Sequence, residues 1–192
     1  MKKHLILTAL ILTLCASNIL AADFKVDTEH SQVLFKIKHL GISTVSGRFD
    51  DFEGSYSFDP EKIMDSTAEF SLQVESINTN SPKRDGHLKS ADFFDTATYP
   101  TLTFKSHKIS DSKDDHFKLQ GDLTMHGVTQ PVVFDVSYQG ADDSWGKHRT
   151  AFTASAVINR FDYGLEFNKL TEAGSLVVGK EVTITLEIEG VQ

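Results

Sequence analysis

From Ser31 onward, apolar and polar residues alternate with a period of two. Val33, Phe35 and Ile37 face one way and Gln32, Lys36 and Lys38 the other, which predicts a half-buried strand. Val45, Gly47 and Phe49 continue the pattern, but the next apolar positions are Phe52, Tyr56 and Phe58. The parity slips by one between Phe49 and Phe52, so a bulge is expected at Asp50-Asp51, bending the strand as barrel walls require. Ala68, Phe70, Leu72 and Val74 alternate cleanly, as do Leu102, Phe104 and Ser106 against Thr101, Thr103 and Lys105.

The polar run Ser110 to Asp115 predicts a hairpin loop. Phe117, Leu119, Gly121, Leu123 and Met125 lead into a tight turn, His126-Gly127-Val128-Thr129. Pro131 is expected to begin the return strand, where its missing N–H is tolerated, with Val132, Phe134, Val136 and Tyr138 inward. Gly140 to His148 reads as a loop carrying Trp145, Thr150 to Asn159 as a strand, and Arg160 to Gly179 as a long irregular segment. Val182, Ile184, Leu186 and Ile188 close the chain, and Asp23 to Asp27 reads as a short edge piece.

About eight antiparallel strands in hairpin succession fit a barrel or a sandwich, and the first and last alternate well enough to pair and leave no free edge. The expected class is therefore all-β, an eight-stranded antiparallel barrel with one short helix. Interior positions should include Phe35, Phe70, Leu72, Phe104, Leu119, Phe134 and Ile184, which share parity on separate strands. Most of the 14 phenylalanines fall on this parity beside small Gly54, Ser106 and Gly121. A filled core and a cavity wall both fit that composition.

One segment breaks the alternation: Arg84 to Pro100. It follows Ser81-Pro82, a capping residue and a proline suited to the first helical position, predicting a helix over residues 82–90. Arg84, His87 and Lys89 cluster there, followed by Phe93-Phe94 and Tyr99-Pro100. The segment reads either as a plug closing a barrel end or as a plug that also forms the mouth of a site for an amphiphile. Arg84 offers planar multi-donor recognition of phosphate or carbonyl oxygens.

Residues 1–22 read as an export signal: basic Lys2-Lys3, an apolar stretch from Leu5 to Cys15, and Ala21-Ala22 at the cleavage end. Cleavage would leave residues 23–192 as a single domain without cysteine and, with Lys2 and Lys3 gone, move the formal net charge from −8 to −10. That balance argues against nucleic acid and against electrostatic docking on an anionic bilayer.

The eight histidines show no metal-ligand spacing, and no Gly-x-Ser-x-Gly or glycine-rich phosphate loop is present. His39 and His87, at the ends of elements, are the histidines kept as site candidates. His87 with Asp92 would be a His–Asp pair, an arrangement that serves orientation or, in a small hydrolase or isomerase, catalysis.

Several stretches resemble the YceI-like family of polyisoprenoid-binding proteins. They are Asp27-Thr28-Glu29-His30-Ser31, Lys38-His39-Leu40-Gly41, Arg84-x-x-His87-Leu88-x-Ser90-x-Asp92-Phe93-Phe94, Gly121 to Val132, and Asn159-Arg160-x-Asp162-Tyr163-Gly164-Leu165. The resemblance spans essentially the whole chain after the signal. It implies an extended lipocalin-like barrel holding an isoprenoid or similar long-chain amphiphile, a periplasmic location and no catalytic activity. Polyprenyl phosphates, quinones and fatty-acid derivatives all fit, with no cofactor beyond the ligand.

The expected ligand contacts are His39, Arg84, His87, Leu88, Phe93, Tyr99, Phe104, Asn159, Arg160 and Phe167. Of these, Arg84, His87 and His39 are expected at the head group, and Phe93, Tyr99 and Arg160 at the entrance. Transient contact with a membrane or with lipid-using proteins, and a homodimer, are open as partners. A ligand-free structural or stress-related protein is the remaining alternative.

Overall fold

A computed structural model describes residues 22–172, 174 and 176–192. The stretch expected to be an export signal, apart from Ala22, and Cys15 with it lie outside the described residues. Eleven strands form one antiparallel sheet: β1 Ala22–Val26, β2 Gln32–His39, β3 Ser43–Phe49, β4 Phe52–Phe58, β5 Thr67–Gln73, β6 Ile77–Asn78, β7 Thr101–Lys113, β8 His116–Met125, β9 Val128–Asp142, β10 Arg149–Asn159 and β11 Val178–Val191. The one α-helix, α1, spans Pro82–Lys89.

Eight of the strands, β1, β4, β5 and β7 to β11, make a closed ring, sealed where Lys25 and Val26 of β1 pair with Val191 and Gly190 of β11. The other three extend its walls. β2 continues β1, β3 leads into β4 and β6 continues β5, so eight long walls run up and down in sequence order.

Each break in a wall has a local cause. Between β1 and β2, the Asp27 N–H donates to the Glu189 carbonyl at 2.8 Å. The Ser31 hydroxyl accepts from Glu189 N–H at 2.9 Å and donates to the Glu189 carbonyl at 3.2 Å. A side chain thus stands in for backbone, and the wall bends without losing its partner β11. β1 is therefore a ring member with Phe24 fully buried, not an edge piece.

At the expected bulge, Asp50 and Asp51 separate β3 from β4, and Phe49 and Phe52 both face the interior. The hairpin loop is shorter than the polar run suggested, because β7 continues through Lys113 and only Asp114-Asp115 turn. Solvent surrounds both faces of the ladder there, so it needs no apolar alternation. Pro131 lies inside β9 rather than at its start, opposite Asp122 of β8. β10 pairs with β9 only from Asp135 onward, so the missing N–H falls where β9 has no second neighbour.

The seven expected interior residues all line internal cavities. At one end the barrel is packed shut by aromatic rings. Phe24 stacks on Tyr56 at 5.1 Å, and Phe152 meets Tyr56 and Phe58 edge-on at 5.3 and 4.8 Å. The Tyr56 hydroxyl bonds the Thr150 hydroxyl at 2.7 Å, and burial raises its pKa to about 12. At the other end stand α1, the β2–β3 turn and residues 160–172, 176 and 177.

A candidate lipid cavity and its mouth

α1 starts at Pro82, with Ser81 extended at the N-cap position as the sequence suggests, but the serine hydroxyl makes no capping bond. The Asp85 carboxylate organises this end instead, accepting from the Thr79 N–H at 2.9 Å and from the Thr79 hydroxyl. Arg84 grips the same residue: Nε donates to Thr79 Oγ1 at 2.7 Å and Nη2 to the Thr79 carbonyl at 2.6 Å. Its Nη1 makes no hydrogen bond among the described residues. Arg84 is thus half committed to the scaffold.

Three consequences follow along the helix and the turn after it. Leu88 packs toward the interior. Lys89 points away and pairs with Glu75 at 2.9 Å. His87 Nε2 lies 3.0 Å from Asp92 Oδ2 while the ring edge meets Phe93 at 5.0 Å and Phe167 at 5.4 Å. Phe93 and Phe167 stack on each other at 4.7 Å.

Beneath these three rings lies a cavity of about 280 Å³. That is close to the lower end of the roughly 300–1,000 Å³ typical of small-molecule pockets. Its polar lining comes from Lys38, His39, Arg84, His87 and Arg160, with no carboxylate among the lining residues; the rest is aliphatic or aromatic. Two smaller cavities follow along the barrel, of about 80 and 70 Å³. The first shares Phe35 and Ile184 with the mouth cavity, and the second shares Phe70, Phe104 and Phe134 with the first. The series runs from the α1 end toward the aromatic seal.

His39, Arg84, His87, Leu88, Phe93, Arg160 and Phe167 therefore converge on one cavity. Phe104 is buried deeper and lines the two inner cavities. Two expected contacts are corrected. Tyr99 packs on the His126 ring at 4.5 Å and over Gly127, outside the cavity lining. Asn159 caps the short 3-10 helix Arg160–Tyr163: its Oδ1 accepts from Phe161 N–H at 3.1 Å and its Nδ2 donates to Asp162 at 3.1 Å.

Arg160 lines the cavity but is no open entrance residue. It is 2 % exposed, and its guanidinium donates to the carbonyls of Gly179 (2.8 Å), Phe167 (2.6 Å), Val178 (3.1 Å) and Leu165. Burial lowers its pKa, and it has no carboxylate partner among the described residues. The charge is met by carbonyl dipoles and by the face of the Phe161 ring, 4.4 Å from the guanidinium carbon, and it ties the 165–167 loop to the start of β11.

Sequence reasoning missed Lys38, Leu165, Val177 and Val178 as lining residues. The signal for His39 was present, since it continues the inward parity of Phe35 and Ile37. Lys38 has the outward parity and reaches the lining only at the barrel rim.

Comparison with known proteins is consistent across the chain. The YceI-like domain model matches residues 24–190. Protein YceI of Escherichia coli O17:K52:H18 is 40% identical over 196 residues, covering 100% of this chain and 99% of that protein. The crystal structure of Burkholderia cenocepacia BcnA superposes with a TM-score of 0.76 at 23% identity, over 85% of this chain and 98% of that one. A polyisoprenoid-binding domain from Saccharophagus degradans gives a TM-score of 0.67 at 20% identity, over 89% of this chain and 98% of that domain. With a domain match over nearly every described residue and a full-length relative at this identity, the chain belongs to the YceI-like family.

Proposed function

We propose that this protein binds a long-chain amphiphile of isoprenoid or similar type inside the barrel, and carries or stores it in the periplasm after export. The observation that carries the reading is the 280 Å³ cavity, mostly apolar, with Lys38, His39, Arg84 and His87 toward its mouth, buried Arg160 in its wall, and no carboxylate in its lining. A chain of formal net charge −8 that gathers basic groups at one apolar opening suits a head with phosphate or carbonyl oxygens. The tail supplies most of the affinity, at about 0.8 kcal/mol per buried methylene, and the head fixes orientation. The polyisoprenoid-binding structural neighbour supports a lipid ligand. The N-terminal basic and apolar pattern supports export.

The His87–Asp92 pair favours a second reading, a hydrolase or isomerase acting on the same amphiphile. Among the described residues no hydroxyl is hydrogen-bonded to the His87 ring, and the pair sits at the rim between phenyl rings, which favours binding. Native mass spectrometry of protein purified from the periplasmic fraction without detergent tests both. A bound lipid mass is expected, with the same mass recovered in an organic extract. An empty protein that takes up no added prenyl phosphate or quinone would overturn the carrier reading, and conversion of added lipid would select the enzyme.

A further inference from the structure

Large apolar side chains that stand in solvent are few among the described residues, and three gather around the cavity mouth. Leu40 is 40%, Ile42 86% and Leu170 62% exposed. Neighbouring backbone brings them together. The Leu40 N–H donates to the Val177 carbonyl at 2.9 Å, Val177 N–H donates to the Lys169 carbonyl at 2.9 Å, and Leu170 bridges to Leu176. Leu40 and Ile42 belong to the β2–β3 turn, and Leu170 to the segment that carries Phe167 and Leu165 of the cavity wall.

The turn itself has two positive φ values in succession, as do His126-Gly127 and Trp145-Gly146. Leu40 and Gly41 have φ of 54° and 75°, and Ile42 N–H closes back on the His39 carbonyl. Two positive φ values in succession normally select Asn-Gly or Asp-Gly, which are soluble and unstrained there. A leucine at the first position exposes an apolar tip beside Ile42 and Leu170, whereas Trp145 in the same turn geometry stands apart from them at the sealed end.

The local charge is balanced. Around the tips Lys38, Lys169 and Lys180 are matched by Glu166, Glu172 and Glu181, and on α1 and the turn after it Lys83 and Arg84 are matched by Asp85 and Asp92, in a chain that is otherwise strongly acidic. Long lysine stems at such a rim can lie along apolar surface with their heads in water.

We propose that Leu40, Ile42 and Leu170 form a bilayer-docking rim that inserts into a membrane leaflet, so that the amphiphile moves between bilayer and cavity without crossing water. The inference rests on reading the cavity as a lipid site and adds where that site meets the membrane. Balanced charge and aliphatic tips fit hydrophobic insertion into zwitterionic lipid rather than attraction to anionic head groups. Trp145 and Met64, also exposed, lie on loops at the opposite, sealed end and provide the control.

The test compares wild type, the double variant Ile42→Asp/Leu170→Asp, and Trp145→Asp. Each is measured for co-sedimentation with phosphatidylcholine vesicles, with and without phosphatidylglycerol. Each is also measured for the rate of extracting dansyl-labelled farnesyl phosphate from those vesicles and for equilibrium binding of the same probe dispersed in buffer. The expected result is unchanged equilibrium binding in all three, with sedimentation and extraction lowered about tenfold or more in the double variant only. Equal extraction by the double variant and wild type overturns the rim. So does a wild type that sediments with neither vesicle, which would point to a protein acceptor, or one that sediments only with phosphatidylglycerol regardless of the rim residues. Failure of wild type to bind dispersed probe overturns the cavity reading instead, while sedimentation, which needs no probe, still decides the rim.

Discussion

The ring of Phe35 lies across Gly47 of the adjoining strand, so close that a β-carbon on residue 47 would stand 2.3 Å from Phe35 Cζ. Gly54 stands in the same relation to Phe70, with 2.5 Å between the added carbon and the ring. Rings laid flat against the wall leave the barrel axis open, and this is how a lumen rich in phenylalanine keeps its cavities.

Gly47→Ala should therefore tip the Phe35 ring inward. The expected cost is about 1–3 kcal/mol of stability, typical of overpacking. Affinity for a long-tailed prenyl probe should fall more than affinity for a short-tailed one, because the ring blocks passage from the mouth cavity to the next. Paired titrations with the two probes, beside urea unfolding, check this; equal losses for both tails would contradict it.

Arg84→Ala removes both the proposed head-group donor and the clasp on Thr79. A charge-assisted hydrogen bond is worth about 1.5–3 kcal/mol, so binding of a phosphate- or carbonyl-headed probe should weaken by roughly tenfold or more. Titration of wild type and variant, each corrected for folded fraction from thermal melts, makes the measurement. Unchanged affinity with a lowered melting temperature would assign Arg84 to the scaffold alone.

Arg160→Met deprives four carbonyls of their donor in a buried setting. Stability should drop by on the order of 3 kcal/mol or more, since unsatisfied buried groups cost about 1–3 kcal/mol each. Hydrogen exchange should speed up across the 165–179 segment first. Arg160→Lys should rescue little, because one ammonium cannot reach a fork's worth of acceptors.

The Asp27–His30 pair, 3.0 Å apart beside Glu189, predicts a pH signature. The hydrogen bond to Asp27 and its charge raise the His30 pKa above the ordinary 6.5, and that bond lowers the Asp27 pKa below 3.8. The histidine contribution is fully present below pH 6.5 and is lost as pH rises through the raised value. The carboxylate contribution is present above pH 3.8 and is lost as pH falls through the lowered value. Urea midpoints of wild type and His30→Gln should differ below pH 6.5 and converge at alkaline pH. A constant offset at every pH would refute the assignment.

The walls were legible in the sequence because each buries one face, and burial writes itself as alternation. The parity slip at Asp50-Asp51 and the proline-led helix at Pro82 were legible for the same local reason. Tyr99 and Asn159 were misplaced because their partners, His126 and the Arg160–Tyr163 turn, depend on how loops lie against each other, which carries no period. Arg160 looked like an open cation because sequence shows charge but not the four carbonyls that gather around it. The polar end of β7 hid its strand because both faces there meet water.

Closure of the ring joins β1 to β11, the first described strand to the last. Every other wall can pair with the strand that follows it as soon as both exist, whereas this seam must wait for the end of the chain. Pairing across such a sequence distance is slow to form, since loop closure precedes any reward from contact. The half-built sheet keeps two unsatisfied edges until Val191 arrives, and substitutions along that seam should slow folding and promote aggregation more than their effect on the finished barrel suggests.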